Sequence, residues 1–308
     1  MAVVVLVLVS VVVFLAMRML PGDPIKLIMT QSEIVAMDET ALDNLKHEFG
    51  LDRPLIVQYF SWVGGVLKGD FGRSIMSRGP VAHEMWRRLP ITLHIGLVAF
   101  VIGLAVGIPA GILCAVRRGR WTDGFVTGLA NIGITVPVFW LGVMMIYVFA
   151  LYLKWLPTSG YTSPFDDFWL STKRLIMPVI CLALFPLAGT ARQTRSSMLE
   201  VLGQDYVRTA WSKGLKQKAV IMKHSLKNSL IPVVTLSGMQ LTMVVGGAVI
   251  VEKVFNIPGL GRYLIDSINA QDYPAVQSAV LLIAIIVVVI NLLIDLSYGW
   301  LDPRIRYN

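Results

Sequence analysis

Charge is shut out of most of this chain. Lys, Arg, Asp and Glu make up only 15% of its 308 residues, and the deficit falls in uncharged apolar blocks over 2–17, 91–116, 124–153, 175–191, 229–251 and 274–294. A soluble globule of this size is usually about a quarter charged. A transmembrane helix needs about 20 mostly apolar residues. The blocks therefore predict an all-α membrane protein with six transmembrane helices, the first and fourth of them short. Pro109, Pro137, Pro178 and Pro186 fall inside these blocks. Neighbouring helices can satisfy the carbonyls that a proline frees, so these residues are expected to kink spans and not to divide them. Cys114 and Cys181 also lie in apolar runs, without metal-type or redox-type spacing, and read as small packing residues.

The distribution of positive charge sets the orientation. One side of the predicted bundle carries thirteen Lys and Arg, at 117–120, 192–227 and 304–306; the other carries five, Lys154, Lys173, Arg174, Lys253 and Arg262. The long 21–90 segment is left out, because long loops translocate largely regardless of charge. The richer side is cytoplasmic, and both termini are expected there. A net charge of +8 confined to such short loops reflects topology and excludes a nucleic-acid-binding face. The first block has no basic residue before it and no small-x-small cleavage site after it, so it is expected to stay as an uncleaved helix. The missing basic start suggests an initiation site placed too far downstream.

Between the first two spans, 21–90 is nearly neutral, with eight basic and nine acidic residues. Ala41, Leu42, Leu45 and Phe49 predict an amphipathic helix over 38–49, stopped by Gly50. Pro54 opens a second helix with Leu55, Tyr59, Trp62, Val63 and Leu67 on one face. Residues 69–72 form a turn, and Pro80 starts a third short helix before the second span. These helices either receive a partner or substrate outside the cell or merely seal the outer face of the bundle.

The most basic hydrophilic stretch, 192–227, lies between the fourth and fifth spans. Val207, Ala210, Trp211 and Leu215 repeat at helical spacing, with Arg208, Ser212 and Lys213 opposite and Gly214 as the stop. A short helix with an apolar ridge and a basic flank fits a groove on another protein. It fits a bed of anionic headgroups equally well.

This stretch, which reads Tyr206-Val207-Arg208-Thr209-Ala210-Trp211-Ser212-Lys213-Gly214-Leu215, resembles the cytoplasmic coupling loop of ATP-binding-cassette importer permeases. The general pattern there has Glu-Ala-Ala, three residues and then Gly. Here Arg208, Thr209 and Ala210 precede Gly214, and this departure is shared by the dipeptide, oligopeptide and glutathione permeases. Further matches run in order along the chain at 20–24, 49–54, 69–74, 254–261, 272–274 and 302–307.

The resemblance implies the fold of a type I importer permease. Residues 1–90 would hold the first span and the extracytoplasmic helices, 91–300 a five-span core with its coupling loop at about 192–229, and 301–308 a cytoplasmic tail. It implies a bacterial inner-membrane complex with a homologous second permease, two ATPase subunits or domains, and an extracytoplasmic peptide-binding protein. ATP-Mg would be bound by the partner ATPase and no cofactor by this chain. Tyr206, Val207, Arg208, Thr209, Ala210, Trp211, Lys213, Gly214 and Leu215 would transmit ATPase motion, with Val207 and Trp211 deepest in the partner's groove. Cargo would be a dipeptide, an oligopeptide, glutathione or a nickel chelate, and 76–81 leans towards the glutathione type.

The residues themselves leave other classes open. The chain lacks a phosphate-binding Gly-x-x-x-x-Gly-Lys-Ser/Thr loop, so any ATP would be hydrolysed elsewhere. His47, His83, His94 and His224 are scattered without ligand spacing, which argues against an enzyme. A secondary, ion-coupled transporter or a channel is the main rival, although the spans carry no ionisable group near their centres. A non-transporting scaffold ranks below it. Asn131, Thr135, Ser237, Gln240, Thr242 and Asn291 are the polar side chains available to line a path, or else to bond helix to helix.

Overall fold

The computed structural model describes residues 1–19, 47 and 52–301. The expected helix over 38–49 and the motifs at 20–24 and 302–307 lie outside them, as does the first half of the motif at 49–54. The described chain is helical, with α1 (Ala2–Met19), α2 (Leu55–Leu67), α3 (Val81–Val116), α4 (Trp121–Thr135) and α5 (Val138–Tyr152) in its first half. Then come α6 (Phe168–Leu202), α7 (Asp205–Ser212), α8 (Gln217–Val254), α9 (Leu260–Asn269) and α10 (Tyr273–Leu301). Five of these, α1, α3, α6, α8 and α10, are long and apolar enough to cross a membrane, and α4 with α5 makes a sixth if the pair is one span.

Several helices differ from the lengths and breaks the sequence predicts. The third outer helix is not separate, because α3 runs from Val81 straight through Pro90 and Pro109. Its first turns are helped by Glu84, which accepts hydrogen bonds from Arg87 and Arg88 one turn on. At 36 residues α3 is about 54 Å long, well beyond a hydrocarbon core of about 30 Å. Pro137 does more than kink its block. The residue before a proline is pushed out of helical geometry, so Val136 is extended (φ −72°, ψ 124°), α4 stops at Thr135, and α5 leaves at 103°. Both α5 and α8 contain a π-helical stretch, Ile146–Tyr152 and Val220–Ser225.

The chain forms two compact units, 1–92 with 258–288, and 93–257 with 289–308. The first unit joins α1 and α2 to α9 and the start of α10. Phe14 packs edge-on against Tyr59, whose hydroxyl pairs with Ser10, and Arg18 donates to Gln58. On α2, Gln58 is the buried residue, whereas Leu55 and Leu67, expected on the packed face, are 49% and 83% exposed. One core gathers Phe71, Val81, Met85, Leu260, Ala275 and Leu282; another gathers Val13, Met17, Ile75, Tyr273 and Val276. Between the motifs at 69–74 and 272–274, buried Asp272 accepts from the Ser74 hydroxyl and from the backbone N–H of Ile75. Two motif matches far apart in sequence are thus one structural joint.

The second unit is built by close approach of small residues. Gly103, Gly107 and Gly111 make one stripe on α3, and a Cβ at Gly107 would lie 2.7 Å from the Leu187 carbonyl oxygen of α6. Without a hydrophobic drive between helices in lipid, such contact lets dispersion hold the pair. Gln240 of α8 accepts from Thr190 of α6 at 3.0 Å, and Thr242 donates to Asn291 of α10 at 3.2 Å. Cys114 and Cys181 are buried thiols, the latter 3.6 Å from the Met145 sulfur, in keeping with packing.

Candidate functional site

The loop between α6 and α8 is where the sequence singles out function, and its structure has a base and a ridge. Gly203 and Gln204 separate α6 from α7, and Gln204 is extended, so the chain starts a new helix at Asp205. Val207 is fully buried and Ala210 nearly so; with Val220 they pack against Val201 and Leu202. Burying these small side chains contributes roughly 1–2 kcal/mol each at most, enough to seat a short helix that would not persist alone. Asn228 of α8 adds a hydrogen bond to the Tyr206 hydroxyl at 2.9 Å.

Gly214 ends the helix for a conformational reason. Its φ of +75° is in the left-handed region, its N–H donates to the Trp211 carbonyl, and the Leu215 N–H reaches back to the Ala210 carbonyl. This double closure is the Schellman arrangement, which favours glycine at that position. Beyond it Lys216 is extended and opens α8, so the chain reverses within a few residues.

The outward ridge consists of Tyr206, Trp211 and Leu215, each about two-fifths exposed, with Arg208, Lys213 and Thr209 exposed around them. Arg208 makes only a loose 3.6 Å pair with Asp205, in a setting open to water. The expectation that Val207 reaches deepest into a partner is corrected by this geometry. Val207 is fully buried against Val201, Leu202 and Val220 of its own chain, whereas Trp211, one turn on and on the same side of the helix, lies past that cover and stays 44% exposed.

The helix that leads into this loop is held by an ion pair the sequence reading missed. Asp123, at the start of α4 and 6% exposed, accepts from Arg195 Nε at 2.7 Å and Nη2 at 2.9 Å, and from the Gly119 N–H at 3.1 Å. The fork geometry of arginine suits this two-point contact. Nearby, Arg192 donates to Asn131 at 2.6 Å. A lone acid after the basic 117–120 run was the available signal, but nothing in spacing linked it to Arg195.

The polar span residues do not form one cluster. Ser237 is buried and bonded to its own Val233 carbonyl, and Gln240 is buried between α6 and α8. Thr135 turns back on the Asn131 carbonyl at the end of α4. Asn131, Thr135 and Asn291 are exposed. Among the described residues no group of His, Cys, Asp and Glu is arranged to hold a metal.

Comparison with known proteins accords with this architecture. Residues 107–307 match the family described as binding-protein-dependent transport system inner membrane component, and 1–96 match the N-terminal family of the same systems. The dipeptide transport system permease protein DppB of Escherichia coli (strain K12) is 41% identical over 322 aligned positions, covering 97% of this chain and 94% of that protein. DppB of Alkalihalophilus pseudofirmus is 38% identical, with the same coverages. The fold is similar to a chain of the inward-facing MetNI methionine ABC transporter (TM-score 0.58, 19% identity, 71% of this chain and 96% of that one). It is also similar to an amino acid ABC transporter crystallised with histidines (TM-score 0.52, 14% identity, 70% and 92%). With the family matched over most of its length and apolar helices able to span a bilayer, this chain belongs to the binding-protein-dependent transport system inner membrane components, as an integral-membrane permease subunit and not an enzyme.

Proposed function

We propose that this chain forms half of the translocation pore of an ATP-driven peptide importer and couples that pore, through α7, to a separate ATPase. One observation carries the reading: a helix seated on its own chain by Val207 and Ala210 presents Tyr206, Arg208, Trp211 and Lys213 outward on a basic loop. Such an anchored ridge can transmit force, because pushing on Trp211 moves α6 and α8 with it. The relatives named for dipeptide transport support peptides as cargo, of dipeptide, oligopeptide or glutathione-like size.

In this reading both termini are cytoplasmic, following the charge asymmetry of the loops. The chain pairs with a homologous second permease in a bacterial inner membrane. Two ATPase subunits or domains hold the ATP-Mg, and an extracytoplasmic binding protein delivers the peptide. Residues 1–90 contribute the first span and the outer helices, 91–300 the pore core, and 301–308 the inner tail. Asn131, Thr135, Thr242 and Asn291 are the polar span residues open enough to meet a solute, while Ser237 and Gln240 belong to helix packing.

Uptake of a labelled dipeptide by cells carrying the complete importer tests this. Depleting ATP at constant membrane potential should abolish uptake, and an uncoupler at constant ATP should leave it nearly intact. The opposite pattern would indicate an ion-coupled carrier.

A further inference from the structure

The first unit contains a hollow of about 350 Å³ that the coupling loop does not involve. That volume is at the small end of the range for small-molecule sites, about 300–1,000 Å³. Three of its lining residues each carry a buried hydrogen-bond donor, Arg18 Nη1, Trp62 Nε1 and Gln277 Nε2, that meets no acceptor among the described residues. Orphaned buried donors are uncommon in folded proteins and costly to keep. Three around one cavity point to something that fills it.

The chemistry of that occupant follows from the walls. All three orphans are donors, so they call for an acceptor-only group. Arg53 and Arg73 also line the hollow, against Asp70, the one carboxylate among its described lining residues, which already accepts from the Gly72 N–H at 2.9 Å. Arg18 is fixed in place beforehand. Its Nε donates to Gln58 at 2.9 Å, and its guanidinium carbon lies 5.0 Å and 4.8 Å from the ring centroids of Phe14 and Tyr273. Rings on its faces leave the planar edge, with Nη1, for a ligand. A guanidinium edge beside two neutral N–H groups matches the two oxygens of a carboxylate.

We infer that this cavity binds the carboxylate of a small soluble ligand. The inference rests on the peptide reading only for the source of that carboxylate, which would be the C-terminus of the cargo. Arg18 and Gln277 take the two oxygens, Trp62 adds a third bond, and Arg53 and Arg73 draw the anion in. An amidated terminus would bring N–H groups against donors and bind poorly.

Full-length chain in phosphatidylcholine nanodiscs, titrated by calorimetry, supplies the test. Acetate and dialanine should bind, and dialanine amide should bind at least about tenfold more weakly, since a hydrogen bond to a charged group is at stake. Trp62→Phe keeps a ring and removes one donor; Gln277→Met keeps the volume and removes another. Each should weaken dialanine binding about tenfold in protein that elutes and melts like the parent. No heat from acetate or dialanine, equal binding of acid and amide, or unchanged affinity in both variants would overturn the proposal. So would loss of the dialanine signal when phosphatidylglycerol is added, because the site would then belong to a lipid headgroup. Acetate binding together with an importer that takes up no peptide would instead contradict the peptide reading and leave the site standing.

Discussion

The α7 loop and the arginine-lined hollow use buried surface in opposite ways. In the loop the buried part is apolar and satisfied by Val201, Leu202 and Val220, while the large polar and aromatic side chains face outward. Around the hollow the buried part is polar, and the donors of Arg18, Trp62 and Gln277 stay unmet among the described residues. An outward ridge on a dry base suits contact with another macromolecule that comes and goes. An inward ring of donors suits a small ligand that supplies acceptors. Burial alone distinguishes neither; what matters is whether the hidden atoms are apolar or are polar and unpaired.

The comparison breaks most readily at the base of the loop. Val207→Asp would put an unpaired carboxylate among apolar side chains, at a cost of about 3–5 kcal/mol. It should strip α7 from its seat, visible as rapid proteolysis between 203 and 216 and loss of uptake. Trp211→Asp alters only the ridge. Membrane content should match the parent while uptake falls about tenfold or more, as for a central contact residue. Gly214→Pro should behave alike, since proline can neither take a φ of +75° nor donate to Trp211. Normal uptake by both would remove α7 from the coupling path.

Smaller effects sharpen the picture. Asp123→Asn weakens the two-point contact with Arg195, which is one-third exposed, so a loss of about 1–3 kcal/mol is expected. The melting temperature of the detergent-purified chain should drop by several degrees, with uptake reduced less than in Trp211→Asp. Thr242→Val removes one hydrogen bond to Asn291, about 0.6 kcal/mol between membrane helices. It should leave stability and uptake close to the parent; a large loss of uptake with normal stability would place Thr242 on the solute path.

What the sequence made legible follows the range of each interaction. The spans were readable because bilayer thickness writes itself as uninterrupted apolar length, and the end of α7 because only glycine takes that turn readily. Pro137 was readable as a disturbance but not as a 103° bend, whose size depends on what α4 and α5 pack against. Helical periodicity marked Val207 and Trp211 as apolar neighbours. It could not say that the chain covers Val207 and leaves Trp211, one turn on, partly open, since that depends on Val201 and Val220 folding against the first turn of the helix. Long-range polar partners were invisible. Asp272 meets Ser74 across 198 positions and Asp123 meets Arg195 across 72, and no local pattern encodes either choice. The cavity was hidden for the same reason, because Arg18, Trp62 and Gln277 share a wall only after folding.

Site-specific photocrosslinking in the complete importer addresses the central claim most directly. A photoreactive residue at Trp211 should capture the nucleotide-hydrolysing subunit, with a yield that changes between the ATP-bound and nucleotide-free states, while the same probe at Val207 should capture none. Capture of lipid alone from position 211 in both states would contradict it.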